Sequence, residues 1–106
     1  MESKDILIVL FNLKKGILEA DYERFANDID SPLIRRLPSN QSFKILKTSG
    51  LLGSSAPSPF QYIEVMEVTS FGALAIDIEN PEVQKMLQQF STFAENPQLI
   101  PGKQIN

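Results

Sequence analysis

Two side chains suited to acid–base chemistry lie two residues apart in a segment of alternating apolar residues. Tyr62 and Glu64 belong to Phe60–Val68, FQYIEVMEV, whose aromatic and branched residues predict a strand. Alternation points both side chains to the same face, where a carboxylate and a phenol can exchange protons with a bound ligand. We predict Glu64 and Tyr62 as catalytic residues. The alternative for Glu64 is an ion pair with Lys or Arg across the sheet or a dimer interface, because an enclosed carboxylate needs a partner.

Two further polar groups are candidates for substrate binding. Asn12, near the end of a first apolar strand, could hold a ligand carbonyl or a pyrrole N–H, or could bond the backbone at a turn. Arg35, which precedes Arg36, could hold a carboxylate with two hydrogen bonds. The alternative for this arginine pair is a surface ion pair with Asp28 or Asp30.

Aromatic residues at helical spacing could line a pocket for a flat heterocycle. The set comprises Tyr22, Phe25, Phe90 and Phe93, of which we predict Tyr22 and Phe93 as substrate-binding residues. The same spacing is typical of a packed core, which is the alternative interpretation. Residues 50–59, GLLGSSAPSP, contain glycines but no phosphate-loop lysine, so this loop is interpreted as a lid or a mobile connection.

Several residue types are missing, and their absence excludes classes of chemistry. The sequence has no His, Cys or Trp, so catalytic triads, Cys–His dyads, His-ligated zinc and His-ligated haem are excluded. Its net charge of −3, with scattered basic residues, argues against binding nucleic acid. No apolar stretch approaches the ~20 residues that span a membrane, and Met1–Asp5 lack a basic leader. We expect a cytoplasmic protein that binds neither nucleic acid nor membrane.

The candidate residues must be positioned by elements that alternate along the chain. The pattern predicts a first strand and then a helix, which ends at Ser31-Pro32 and is followed by a short apolar turn. Two strands come next, and then two helices with Ser70 and Asn80 as N-caps. An edge strand follows Asn96-Pro97. The predicted strands are Asp5–Leu13, Ser42–Thr48, Phe60–Val68 and Gln98–Ile105; the first helix buries Leu18, Tyr22, Phe25 and Ile29.

This order predicts an α+β, ferredoxin-like β-α-β-β-α-β sandwich that forms one domain over residues 1–106, with the first and third strands central. The first strand is apolar on both of its faces, since Ile6, Ile8 and Leu10 alternate with Leu7 and Val9. Helices cover only one face of such a sheet. We therefore expect a second copy of the chain to cover the other, which closes a dimeric α/β barrel.

Five segments, in this order and spread over almost the whole chain, resemble the REDY-like protein HapK family. No segment alone is a catalytic signature, and the specificity lies in the set. They are IVLFNLK at 8–14, RRLPS at 35–39, GLLG at 50–53, FQYIEV at 60–65 and FAENPQ at 93–98.

The resemblance implies a homodimeric α/β-barrel protein of prodigiosin (prodiginine) pigment biosynthesis, and it implies no cofactor. The superfamily also contains antibiotic-biosynthesis monooxygenases, which oxidise polyphenolic substrates without metal or flavin and rely on Asn and Trp. Asn12 could take the first role, but the chain has no Trp. We expect an enzyme or enzyme-like protein that binds a small pyrrolic or aromatic intermediate between sheet and helices. The alternatives are a non-catalytic carrier of a reactive intermediate and, third, a cofactor-independent monooxygenase.

Overall fold

The computed structural model describes residues 4–106; Met1–Ser3, part of the segment inspected for a leader, lie outside the described residues. Strands and helices follow one another in the predicted order. The strands are β1 (Asp5–Leu13), β2 (Asn40–Lys47), β3 (Tyr62–Val68) and β4 (Ala94–Lys103). The helices are α1 (Glu19–Phe25), which continues through a π-helical segment (Ala26–Asp30) into α2 (Ser31–Arg35), then α3 (Phe71–Ile78) and α4 (Pro81–Phe93).

The four strands form one antiparallel sheet in the order β2-β3-β1-β4. This order confirms the predicted ferredoxin-like α+β fold, with the first and third strands central and β2 and β4 at the edges. In the centre of the sheet Val9 of β1 lies opposite Glu64 of β3 and Leu99 of β4. These three side chains therefore share one face.

The two faces of the sheet differ in how well they are covered. The helix-facing residues Phe11, Tyr62, Met66 and Val68 are buried, because α1 to α4 pack over them. The opposite face, which we call the open face, is apolar but only partly covered. It carries Ile6, Ile8, Leu10, Ile63, Val65, Leu46 and Ile100.

The predicted end of the first helix at Ser31-Pro32 is wrong. Ser31 has helical backbone angles, φ −60° and ψ −46°, and its N–H donates to the carbonyl of Ala26, five residues back. Proline lacks an N–H, and in a regular α-helix its ring clashes with the carbonyl four residues earlier. The wider π turn removes that conflict, so the helix continues through Pro32 and includes Leu33 and Ile34, which the sequence assigned to a turn.

The last helix also ends earlier than predicted, because pairing with β1 replaces its final turn. The helix stops at Phe93, and Ala94 is already extended opposite Leu13. The Asn96-Pro97 pair lies inside β4, where a register shift opposite β1 and a φ of 44° at Asn96 mark a β-bulge.

Both predicted N-caps are confirmed. The Ser70 hydroxyl accepts a hydrogen bond from the Ala73 N–H at 3.0 Å, and the Asn80 side chain accepts one from the Glu82 N–H at 2.8 Å. These bonds satisfy backbone donors that the first turn of a helix leaves free. Among the helices of residues 4–106, none combines the length and the apolar character that crossing a bilayer requires.

Candidate functional site

A cavity of about 120 Å³ lies between the sheet and the helices. Its walls are almost entirely apolar, and two carboxyl groups, those of Asp30 and Glu64, are its only charged lining groups among the described residues. Leu87 and Leu99 on its rim are 39% and 58% exposed, so the cavity opens to solvent between α4 and β4. The apolar lining consists of Leu7, Val9, Ile34, Leu37, Met66, Leu74, Ile78, Val83, Met86, Leu87, Phe90 and Leu99.

Glu64 lies on the helix-facing side of β3, and its residue is 7% exposed. Its Oε2 accepts a hydrogen bond from the Tyr22 hydroxyl at 3.3 Å. Within residues 4–106 no Lys or Arg forms an ion pair with it. Burial raises its pKa to about 8, the nearby Asp30 carboxyl adds to the rise, and the Tyr22 hydrogen bond opposes it. The Glu64 carboxyl therefore keeps its proton to a higher pH than an ordinary glutamate does.

Asp30 is the residue of the site that the sequence did not predict as a ligand group. The predicted helical stripe buried Ile29, but Ile29 is 41% exposed and Asp30 is 3% exposed. The π-helical segment explains this, because its extra residue in the turn rotates the following side chains relative to Tyr22 and Phe25. The sequence signal for this rotation was Pro32, two residues after Asp30, because a regular helical turn does not accommodate a proline there.

The Asp30 carboxyl faces the same cavity as that of Glu64, and within residues 4–106 no hydrogen-bond donor contacts it. Loss of hydration raises its pKa to about 7. Two neighbouring buried carboxyls resist simultaneous ionisation, so the pair retains a proton near neutral pH and offers both an acceptor and a donor. Among the described residues, no group of three His, Cys, Asp or Glu side chains is arranged to hold a metal ion.

Tyr62 shares the face of Glu64, as predicted, but its hydroxyl points away from the cavity. It donates to Glu23 Oε2 at 2.7 Å, and Glu23 in turn pairs with Lys47 Nζ at 2.8 Å. Tyr62 therefore lines a separate surface pocket of about 120 Å³, shared with Tyr22, Glu23 and Lys47. The structure joins Glu64 to Tyr22 by a hydrogen bond and does not join it to Tyr62.

The structure places Asn12 and Arg35 outside the cavity. The Asn12 amide donates to the Pro59 carbonyl at 3.0 Å and accepts from the Gln61 N–H at 2.9 Å. Arg35 donates to the Phe43 carbonyl at 3.1 Å. Asn12 thus ties the end of the 50–59 loop to β1, and Arg35 ties α2 to β2.

Phe93 lies in an aromatic cluster next to the cavity. Its ring centroid is 5.1 Å from that of Phe25 and 6.0 Å from that of Tyr22, while Phe11 lies 5.3 Å from Tyr22. This packing holds the Tyr22 ring in place and so orients the hydroxyl that bonds Glu64. Phe90, packed 5.0 Å from Phe11, reaches the cavity wall itself.

The family is decided by a match over nearly the whole chain. The sequence profile of the REDY-like protein HapK family matches residues 5–105. The chain belongs to this family. HapK from Hahella chejuensis is 25% identical to the chain, and the two folds superpose with a TM-score of 0.79 over 95% of this chain and 92% of that one. No protein of curated function matches the chain.

More distant structures share the fold of the REDY-like chain. A DABB-family protein with a ferredoxin-like fold from Mesorhizobium loti is 14% identical, with a TM-score of 0.75 over 99% of this chain and all of that one. A dimeric ferredoxin-like protein of unknown function from Thermobifida fusca is 12% identical, with a TM-score of 0.74 over 98% and 93% of the two chains. At these identities the likeness concerns the fold alone.

Proposed function

We propose that this REDY-like protein is a small homodimeric enzyme or enzyme-like protein of prodigiosin-type pigment biosynthesis. It binds a pyrrolic or aromatic intermediate in the cavity between the sheet and the helices. The observation that carries the proposal is the pair of buried carboxyls, Asp30 and Glu64, on the wall of an otherwise apolar cavity. Burying two acids without a cation lowers the stability of a fold, and carboxyls held at that cost in a cavity are candidates for binding or proton transfer.

Among the residues predicted from sequence, Glu64 and Tyr22 have direct roles in this proposal. Glu64 gives or takes the proton, and Tyr22, which donates to it, orients the carboxyl. Phe93 packs against the Tyr22 ring and helps to hold it in place. Tyr62, Asn12 and Arg35 act at a distance, by fixing α1, the 50–59 loop and α2 around the cavity.

The proposal is tested by incubating purified protein with monopyrrole and bipyrrole pathway intermediates, with thermal shift and mass spectrometry as readouts. A ligand that binds only the folded state raises the melting temperature by mass action. Stabilisation with a new product mass identifies an enzyme, and stabilisation with unchanged mass identifies a carrier. If no pyrrolic intermediate raises the melting temperature, the proposal is wrong. For an enzyme, Glu64→Gln should abolish turnover in a protein that still folds.

We propose that the second subunit covers the open face of the sheet and completes a dimeric α/β barrel. Support comes from the apolar side chains left partly exposed there and from relatives of the same fold that are described as dimeric. Each copy would bury an apolar face that a monomer leaves in water. A cytoplasmic location and a single domain over residues 1–106 complete the proposal, supported by the cysteine-free sequence and the one continuous sheet.

Light scattering at micromolar concentration tests the dimer. Wild-type protein should have the mass of two chains, and Ile8→Glu, on the central strand of the open face, should shift it toward one chain. Leu52→Glu is the matched control, because Leu52 is fully exposed in the loop and lies outside the sheet. A monomeric wild type contradicts the proposed dimer.

A further inference from the structure

The volume of the cavity limits the ligand to about one ring. At about 120 Å³ it is slightly smaller than an engineered apolar protein cavity of roughly 150 Å³ that binds benzene. This volume corresponds to one aromatic ring beside Glu64. The opening between Leu87 and Leu99 leaves room for an apolar substituent to extend toward solvent.

The polar groups of the cavity select for a hydrogen-bond donor. Asp30 and Glu64 lie on the wall, and one Glu64 oxygen is already occupied by the Tyr22 hydroxyl. No basic side chain lines the cavity among the described residues. An anionic ligand is therefore repelled, whereas a ligand with one N–H finds a free carboxyl oxygen.

From this arrangement we infer that the cavity binds a neutral, single-ring aromatic ligand whose ring N–H donates to the Asp30–Glu64 pair. The inference rests on the proposed function, since it names the ligand class for the same cavity. It also makes Asp30 a substrate-binding residue. Two-ring pyrroles fall outside the class because of their size, and N-alkylated rings because they lack the donor.

A protonated amine is the competing donor, and the rest of the cavity disfavours it. Leu74, Val83 and Met86 present only apolar surface around the pair. A cation would lose most of its hydration there, a cost that a neutral N–H does not incur to the same degree.

The groups that govern pH dependence come from each element around the pair. The π-helical segment supplies Asp30, β3 supplies Glu64, and α1 supplies Tyr22, whose own pKa is raised far above its usual value by burial and by both carboxyls. The cavity-lining residues of α3, α4 and β4 are apolar. Binding of an N–H donor should strengthen between pH 6 and pH 9, as Asp30 and Glu64 lose their protons and become better acceptors.

The test compares four probes by calorimetry at pH 8: 2,5-dimethylpyrrole, 1,2,5-trimethylpyrrole, 2,2′-bipyrrole and cyclopentylamine. We expect 2,5-dimethylpyrrole to bind at least tenfold more tightly than each of the others. Loss of a hydrogen bond to a charged acceptor is sufficient for about a tenfold difference between the first two probes. Glu64→Gln and Asp30→Asn should reduce that preference, and Glu23→Gln, at the surface pair, should leave it unchanged.

Each outcome separates this inference from the broader proposal. Equal binding of 1,2,5-trimethylpyrrole overturns recognition of the N–H, equal binding of 2,2′-bipyrrole overturns the one-ring limit, and tighter binding of cyclopentylamine assigns the site to cations. In the first two cases the cavity still binds pyrroles and the proposed function stands. If no pyrrole binds here or in the thermal-shift test with the pathway intermediates, both fail.

Discussion

Two tyrosine–glutamate pairs lie side by side in this molecule and show opposite electrostatics. Tyr22 bonds Glu64 inside the cavity, and Tyr62 bonds Glu23 at the surface, with the two tyrosine rings 4.7 Å apart. Burial raises the pKa of Glu64 to about 8. Hydrogen bonds from Lys47 and Tyr62 hold the pKa of Glu23 below its usual value.

The difference comes from the surroundings, because the chemical groups are the same. Each carboxylate accepts a phenolic hydrogen bond, which lowers its pKa in both pairs. Glu23 is hydrated and has a cation at 2.8 Å, whereas Glu64 has neither and faces Asp30. Only the buried pair can therefore hold an exchangeable proton near neutral pH, and this is why we assign the chemistry to Glu64.

The largest expected effect is on how the free energy of unfolding depends on pH. The folded protein keeps protons on Glu64 and Asp30, whose pKa values of about 8 and 7 exceed the unfolded values of roughly 4. At pH values between the unfolded and the folded pKa values, the folded state binds more protons than the unfolded state. The free energy of unfolding therefore falls as pH rises from about 5 to 8. The fall is on the order of 1.4 kcal/mol for each unit of raised pKa.

Glu64→Gln should remove about half of that fall, because the amide stays neutral at every pH while burial still raises the pKa of Asp30. At pH 8.5 the variant should melt several degrees above wild type, and at pH 5 the two should be similar. Thermal melts at one fixed protein concentration measure this, with Glu23→Gln as the control that keeps the wild-type slope. Parallel curves for wild type and Glu64→Gln would show that Glu64 is ionised in the folded protein.

An intermediate effect is expected when Glu64 is given the cation that Glu23 already has. Leu99 and Glu64 flank Val9 on the same face, about 10 Å apart across two strand spacings, and a lysine side chain spans most of that distance. Leu99→Lys should lower the pKa of Glu64 by one unit or more, measured by carbon-13 NMR of the carboxyl. Ile76→Lys, at an exposed site on α3 outside the cavity, should leave it unchanged.

The smallest effects concern the phenolic hydrogen bonds themselves. Tyr22→Phe removes the one bond that lowers the pKa of Glu64, so that pKa should rise further. Tyr62→Phe should raise the pKa of Glu23 only slightly, because Lys47 remains as its main partner. The same NMR titration measures both. A larger response at Glu23 than at Glu64 would reverse the comparison between the two pairs.

The sequence by itself determined the elements whose signals are local. The alternation correctly placed Tyr62 and Glu64 on one face of a strand, and Ser70 and Asn80 marked helix starts through bonds to their own first turns. The run of apolar and branched residues from Asp5 to Leu13 predicted β1 with the bounds that it has. These features depend on neighbours within a few residues, which is the range over which a sequence pattern is informative.

Only the tertiary structure decided which polar side chains meet. Asp30 and Glu64 are 34 residues apart, and they face one cavity because the π-helical segment rotates Asp30 inward while β3 lies beneath it. Tyr62 shares a face with Glu64, yet a lysine from β2 and a glutamate from α1 hold its hydroxyl elsewhere. Asn12 and Arg35, equally plausible from sequence, are occupied by backbone carbonyls of other elements. Such contacts follow from the packing of distant segments, which no local periodicity contains.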